Sequence, residues 1–227
     1  MTGAKGEPRR LVVLRHGQTV SNAKGIWQGQ LDHDLSELGR EQARAAAAAI
    51  ADLRPSRIVS SDLARARDTA EEVAAAAGGI EVATDPRWRE IHAGGWQGLT
   101  AEQVHAQYPE DAERLLTGED FRRGGHGESL ADVAERTRRA LAELTAAMEP
   151  GECVVIATHG VTGRSLVAEL VGLGQSLAWR VLGGFGNCHW ALLEEGREGW
   201  RIERWNASAP PQQAGEGPIW RTTGTSG

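Results

Sequence analysis

The sequence predicts an α/β protein, a three-layer α/β/α sandwich around a mainly parallel central sheet. Short apolar runs of strand character alternate with longer amphipathic segments of helical period, the pattern of a parallel sheet covered by helices. The first of these runs, Leu11-Val12-Val13-Leu14, has the character of a buried strand. With 227 residues the chain can bury a full core, as one large domain or two small ones.

The elements follow in order. A strand is predicted over 10–15. Ser36 is a plausible N-cap for a helix over 36–52. The alanine run at 45–49 continues an amphipathic pattern from Leu38 to Leu53, so it reads as helix and not as low-complexity linker. A strand over 57–60 leads to a helix over 62–77, with Ser61 as its N-cap. Its apolar stripe is Leu63, Ala66, Ala70, Val73, Ala74 and Ala77, which leaves Arg65 near the first turn. A strand over 80–83 and a helix over 100–116, broken at Pro109, come next. Residues 117–128 read as a surface loop. Ser129 caps a helix over 129–148 with the stripe Leu130, Val133, Ala134, Leu141, Leu144 and Met148. A strand over 153–158, a helix over 161–171, and strands over 188–194 and 200–205 complete the pattern, the last two more antiparallel in character. The domain is expected to span 1–206. Residues 207–227 are rich in Pro, Gly, Gln, Thr and Ser and read as a mobile tail, with Ile219-Trp220 as a possible anchor.

The formal net charge of −6 argues against nonspecific attraction to nucleic acid or to an anionic membrane. An anionic substrate would have to be drawn in by a local positive pocket. Cys153 and Cys188 each lie in an apolar run and read as buried free thiols in a reducing compartment. No CxxC, HExxH or paired Cys/His spacing suggests a metal site, so no metal and no cofactor is expected. The N-terminal basic residues Lys5, Arg9 and Arg10 precede an apolar run too short for a signal peptide or a membrane span. A soluble cytoplasmic protein is the expectation.

Three strand ends carry the chemistry. The strand 10–15 ends at Arg15-His16-Gly17. The strand 57–60 ends in Ser60-Ser61-Asp62 and is followed by Arg65, with Arg67 a competitor for the same role. The strand 153–158 ends in Thr158-His159-Gly160. In open α/β sheets the ligand crevice lies at the carboxyl ends of the strands, so two histidines and two arginines can meet in one pocket. Fixed positive charge beside an imidazole opposes a metal ion and suits an anion. A phosphate held by Arg15 can be attacked by His16, as in covalent catalysis by histidine. Gly17 and Gly160 offer a backbone without Cβ, able to approach an oxyanion closely and to adopt positive φ.

The segments Leu-Arg-His-Gly-Gln-Thr-Val-Ser-Asn (14–22), Ser-Ser-Asp-Leu-Ala-Arg-Ala-Arg-Asp-Thr-Ala (60–70), Arg-Glu-Ile-His-Ala-Gly-Gly-Trp-Gln-Gly (89–98) and Thr-His-Gly (158–160) resemble, in order, the motifs of the histidine phosphatase superfamily. The resemblance covers roughly residues 9–206 and implies a phosphoglycerate mutase-like fold. It makes His16 the nucleophile and Glu90 the proton donor and acceptor. Arg15, Arg65 and His159 become the catalytic phosphate pocket, with Asn22, Gln28, Gly29 and Gly160 as further phosphate-binding positions. Arginine suits such a pocket because its planar fork gives two bonds to an oxyanion and keeps its charge. Each charge-assisted bond is worth roughly 1.5–3 kcal/mol. Within the superfamily the chain resembles the glucosyl-3-phosphoglycerate phosphatases, through Trp-Gln-Gly-Gln-Leu-Asp (27–32), Gly-Glu-Ser (127–129), Leu-Gly-Gly-Phe-Gly-Asn (182–187) and Trp-Asn-Ala-Ser-Ala (205–209).

The implied function is hydrolysis of a phosphomonoester through a phosphohistidine, with a small phosphorylated metabolite as substrate. Glucosyl-3-phosphoglycerate or a related compound is the expected one. A mutase would pass the phosphoryl group to a second hydroxyl. The mutases carry a longer insertion between the two motifs, whereas Glu90 and His159 are 69 positions apart here, which favours water as acceptor. A noncatalytic phospholigand-binding module is the remaining alternative, but it should lack the nucleophile or the acid. Arg122 and Arg123 are either a solvated charge pair or a reader of a substrate carboxylate. Trp27, Trp88 and Trp96 are core aromatics, or in the case of Trp27 a wall for a sugar ring. His33, His92, His105, His126 and His189 read as surface or structural. The apolar 177–193 region is available as a homodimer interface.

Overall fold

A computed structural model describes residues 7–209 of the chain. Six strands form one sheet: β1 (Arg10–Arg15), β2 (Arg57–Ser60), β3 (Val82–Thr84), β4 (Cys153–Thr158), β5 (Trp190–Gly196) and β6 (Gly199–Ala207), in the spatial order β3-β2-β4-β1-β5-β6. β3, β2, β4 and β1 are mutually parallel; β5 and β6 extend the sheet antiparallel. The expected mainly parallel sheet is therefore present, with its antiparallel edge where the last two apolar runs fall.

Alternation along β1 makes the sheet a middle layer. Val12 and Leu14 pack with α2 (Glu37–Ala51) and α3 (Ala64–Ala76), through Ala43, Ala46, Ala47, Ile50, Ala70 and Val73. Leu11 and Val13 face the other way, against α6 (Leu130–Ala146) and α7 (Gly160–Leu170), through Leu141, Leu144, Leu166 and Val167. The alanines of α2 let its backbone lie close to α3, which explains an apolar stripe made of such small side chains. Each large aliphatic side chain buried in these layers contributes about 1.5–3 kcal/mol.

Among the described residues there are four further short α-helices, α1 (Val20–Ala23), α4 (Ala101–Gln107), α5 (Pro109–Thr117) and α8 (Gln175–Val181), and two 3-10 turns, Pro86–Trp88 and Gly94–Trp96. The break at Pro109 is real, since α4 ends at Gln107, Tyr108 stands between the two helices, and Pro109 starts α5. α1 and α8 were not legible as helices. α8, in the 177–193 region, exposes Leu177 and Val181. Ser36 and Ser129 cap α2 and α6 as expected, Ser129 through a capping box with Asp132.

Three expectations are corrected. Ser61 does not cap α3: the helix starts at Ala64 behind Leu63, which makes no side-chain cap, and the Ser61 hydroxyl turns to a histidine instead. β3 begins two residues late, at Val82, because Ile80 packs against the core beside α3 before the chain joins the sheet edge. The 117–128 segment is not wholly surface: Phe121 and Arg123 are buried, with the Arg123 guanidinium 4.1 Å from the Phe121 ring. Arg122 and Arg123 are thus not a solvated pair. Arg122 pairs with Asp132 at 3.0 Å, while Arg123 is a packing residue whose guanidinium donates to the Phe121 carbonyl at 2.6 Å.

Residues 210–227, most of the expected tail with Ile219-Trp220, lie outside the described residues. Among the described residues no helix is long and apolar enough to cross a membrane, and no group of three His, Cys, Asp or Glu could hold a metal ion.

Candidate active site

The strand tips stand level. Arg15 is registered with Thr158, and Ser60 with Ala157. The ladders run on past the strands: His16 N–H donates to the Thr158 carbonyl at 3.0 Å, and Ser61 N–H to the Ala157 carbonyl at 2.9 Å. Two imidazoles consequently emerge side by side. The His16 and His159 rings are 5.1 Å apart at 63°, and both are buried.

The tautomer of His16 is fixed by geometry. Its Nδ1 lies 2.6 Å from the Gly17 carbonyl oxygen. A carbonyl only accepts, so Nδ1 carries the proton and Nε2 keeps a lone pair. Burial, then the charges of Arg65 and Arg15, hold the His16 pKa well below the ordinary histidine value. The ring is neutral at physiological pH and available as a nucleophile. His159 is held down in the same direction, by burial and then by Arg65 and His16. Its Nε2 is 2.9 Å from the Ser61 hydroxyl, and its buried Nδ1 has no hydrogen-bond partner among the described residues.

Two arginines face the imidazoles. Arg65 is 1% exposed. The loop after α1 drapes over it, and its Nη1 and Nη2 donate to the Leu31 and Gly29 carbonyls at 2.7 and 2.8 Å. Burial and the proximity of Arg15 lower its pKa, to about 10 overall, against the favourable charges of Glu90 and Asp32. Arg67 is the exposed alternative, paired with Asp68 and Glu71. Arg15 is tied to the Phe185 carbonyl. Neither Arg15 nor Arg65 has a carboxylate within ion-pair distance among the described residues, and each buries an unpaired Nε.

The amides of Asn22 and Gln28 are turned by Thr19. Backbone N–H of Thr19 donates to Asn22 Oδ1 at 3.1 Å, in a capping box at the start of α1. The Thr19 hydroxyl lies 3.0 Å from Gln28 Oε1. Asn187 Nδ2 adds a second donor to Asn22 Oδ1 at 3.3 Å and also reaches the His16 carbonyl at 3.1 Å. With both carbonyl oxygens engaged, both NH2 groups are left as donors. Gly29 adopts φ +54°, and its carbonyl is spent on Arg65.

Gly17 and Gly160 are corrected in one respect, since neither has positive φ. Gly17 is small because a Cβ there would lie 2.4 Å from the Gly39 carbonyl oxygen. A Cβ at Gly160 would meet the Arg15 side chain at an ordinary 3.6 Å.

Glu90 sits at the N-terminus of α7. Its Oε1 accepts from Ile91 N–H at 2.9 Å and Thr162 N–H at 3.0 Å, and its Oε2 from Val161 N–H at 3.1 Å. A surface pairing with Arg87 or Arg89 does not occur, because Arg87 pairs with Asp85 and Glu143, and Arg89 with Asp62. Arg136 holds the backbone of this segment, donating to the Arg87 and Glu90 carbonyls at 2.7 and 3.1 Å. Thr162 and Arg136 carried no sequence signal, and Thr19, Ser61 and Asn187 fall within the matched segments without a role of this kind being legible. Each acts on a residue distant in sequence or on a local cap that is indistinguishable from an ordinary one.

Trp88 and Trp96 are buried, and Trp27 is half-buried with its ring 5.0 Å from Trp96. His33 bonds Ser21 at 2.9 Å and His189 bonds Asn206 at 3.0 Å, both structural contacts.

The arrangement offers a neutral nucleophilic nitrogen, a cluster of fixed donors for an oxyanion, and a carboxyl group near both arginines. The profile of the histidine phosphatase superfamily (branch 1) matches residues 11–208. The chain is 46% identical over 217 residues to a glucosyl-3-phosphoglycerate phosphatase of Mycobacterium tuberculosis, covering 88% of this chain and 96% of the relative. It is 36% identical to a metal-independent phosphoserine phosphatase of Arabidopsis thaliana, covering 73% and 70%. A solved structure of a mycobacterial glucosyl-3-phosphoglycerate phosphatase in complex with VO3 superposes with a TM-score of 0.80 at 46% identity, covering 88% of this chain and 100% of that one.

Proposed function

We propose, from the premise that this chain belongs to the histidine phosphatase superfamily and is a phosphatase, that its substrate is glucosyl-3-phosphoglycerate and that His16 is its nucleophile. The observation that carries the residue assignment is the His16 Nδ1 proton committed to the Gly17 carbonyl, which leaves Nε2 as a lone pair among Arg15, Arg65 and His159.

In this reading the phosphoryl oxygens lie against Arg15, Arg65, His159, Asn22 and Gln28, with Gly29 and Gly160 bordering them. The Ser61 hydroxyl accepts the Leu63 N–H at 3.3 Å and donates its own proton to His159 Nε2. His159 Nδ1–H is then free for a phosphoryl oxygen. His16 Nε2 attacks phosphorus in line as the ester P–O bond breaks. Glu90 gives its proton to the departing alkoxide and later takes one from the water that displaces His16. The P–N bond breaks, phosphate leaves, and His16 is neutral again. Donors that tighten on the phosphoryl oxygens as charge spreads over them supply much of the rate.

The substrate class rests on the relatives, whose names specify that ester. The two free cysteines, both buried, fit a reducing, cytoplasmic setting. For assembly, a homodimer through the 177–193 region is the reading that the exposed Leu177 and Val181 support. Sedimentation as a monomer at micromolar concentration overturns it.

One experiment tests the whole. Brief exposure to 32P-labelled substrate should trap an acid-labile, base-stable phosphoenzyme that is absent from His16→Ala, with phosphate release fastest on glucosyl-3-phosphoglycerate among sugar phosphates and phosphoglycerates. Formation of 2-phosphoglycerate from 3-phosphoglycerate and 2,3-bisphosphoglycerate, without phosphate release, refutes it in favour of a mutase.

A further inference from the structure

We propose that Arg164 determines specificity by reading a carboxylate on the leaving group; this rests on the phosphatase reading above and extends it. Among the described residues, three arginines bury an Nε with no hydrogen-bond partner: Arg15, Arg65 and Arg164. The first two belong to the phosphate pocket. Arg164 shares their other property, since no carboxylate lies within ion-pair distance of it among the described residues.

Its position follows from α7. The first turn of that helix holds Glu90 through Val161 and Thr162 N–H. Helical side chains lean toward the helix N-terminus, so Arg164 covers the turn that anchors Glu90. The guanidinium lies 4.0 Å from the Trp179 ring, and Nη1 donates to the Trp179 carbonyl at 3.4 Å. On another side is Gly184, where a Cβ would come within 3.0 Å of Nη2. The next residue, Phe185, anchors Arg15. The 182–187 loop therefore borders both cations.

Charge gives the site its meaning. Glu90 is the acidic group whose charge supports the half-buried Arg164. When Glu90 carries the proton it must give to the leaving oxygen, that support is withdrawn, and an anion on the substrate can replace it. In a 3-phosphoglyceryl ester the carboxylate carbon is three bonds from the ester oxygen that Glu90 protonates. A planar guanidinium on that side matches a carboxylate better than any other anion-binding side chain. The competing role is purely structural, a cation stacked on Trp179 that joins α7 to α8.

The test compares 3-phosphoglycerate with glycerol 3-phosphate, which differ only in carboxylate against hydroxymethyl, in the wild type, Arg164→Gln and Arg164→Lys. Arg164→Gln should lose about 30-fold or more in kcat/KM on 3-phosphoglycerate and less than about threefold on glycerol 3-phosphate, the range expected for a charge-assisted hydrogen bond. Arg164→Lys should recover part of the loss. Glucosyl-3-phosphoglycerate should follow 3-phosphoglycerate. Equal losses on both substrates in both variants make Arg164 a packing residue and overturn the proposal, as does no loss on either. A wild-type enzyme that releases phosphate from none of the three overturns the phosphatase reading and this proposal with it. A wild type active on the first two and inactive on glucosyl-3-phosphoglycerate removes that substrate while leaving Arg164 to be judged on its own pair.

Discussion

Glu90 and Thr162 are locked together: the carboxylate Oε1 accepts the Thr162 N–H at 3.0 Å, and the Thr162 hydroxyl stands 3.1 Å from the same oxygen while bonding the Arg89 carbonyl at 2.8 Å. The threonine fixes the carboxyl group from the helix side. In the proposed reaction Glu90 serves both half-reactions, as acid in the first and base in the second.

That double duty predicts the behaviour of Glu90→Gln. On alkyl phosphates, kcat should fall by about 10²- to 10⁴-fold, the usual range for a lost general acid or base. With p-nitrophenyl phosphate the leaving group needs no proton, so phosphorylation of His16 proceeds and hydrolysis of the phosphoenzyme stalls. Stopped-flow absorbance should then show a burst of about one equivalent of nitrophenolate and a slow steady state. Steady turnover within tenfold of wild type on both substrates rules Glu90 out of both steps.

The paired histidines predict a stability profile. His16 and His159 have folded-state pKa values well below the ordinary 6.5. The unfolded chain therefore binds protons that the folded chain refuses, beginning near pH 6.5. Stability from these groups is complete above that pH and is lost as pH falls below it, toward the folded-state values. Each histidine contributes a slope of about 1.4 kcal/mol per pH unit in that window. Urea midpoints measured between pH 7.5 and 5 should fall steeply in the wild type and less steeply in His16→Gln. A midpoint flat down to pH 5 contradicts the burial of both rings as neutral bases.

Much of this site was readable because its groups stand at strand ends. Leu11–Leu14 is apolar at every position, so β1 and its tip at Arg15-His16 stood out, and Thr158-His159 repeated the pattern. Ser61 was misjudged for a physical reason: serine after a strand is a good cap, but here its hydroxyl does more 98 residues away, on His159, than on its own helix. Arg123 looked like its solvated neighbour Arg122 because nothing local announces that Phe121 will be buried beneath it. Thr19 looked like any helix start. Its box is an ordinary cap that also happens to orient the side-chain amides of Asn22 and Gln28.

Arg15 and Arg65 repel one another across the pocket without a carboxylate bridge. An oxyanion between them relieves that repulsion, so inorganic phosphate or vanadate should stabilise the fold. At about 100 times the dissociation constant the gain is about 2.7 kcal/mol. For a domain of this size that corresponds to a rise in Tm of about 5–11 °C. Differential scanning fluorimetry should show the rise in wild type and a much smaller one in Arg65→Ala. Chloride at equal ionic strength should not reproduce it. An equal shift in Arg65→Ala would place the anion elsewhere.

The loop bearing His16 is held from behind by α2, and that contact has no slack. Ser36 N–H donates to the Gln18 carbonyl at 2.8 Å, Ser36 Oγ does so at 3.1 Å, and a Cβ on Gly39 would lie 2.0 Å from the same Gln18 carbonyl oxygen. Gly39 is helical and has an ordinary φ, so the constraint is space alone. Gly39→Ala must push the 16–18 backbone outward. Overpacking of this kind costs about 3 kcal/mol at the upper end of its range, a fall of about 6–12 °C in Tm. Because a displacement near 1 Å at a nucleophile is worth about 10²-fold in rate, kcat should fall by more than tenfold at temperatures where the variant is fully folded. Gly174→Ala, at φ −61° with nothing within 4 Å of its Cβ position, is the control and should change stability by less than about 0.5 kcal/mol. If both substitutions are equally harmless, α2 does not brace the loop that carries His16.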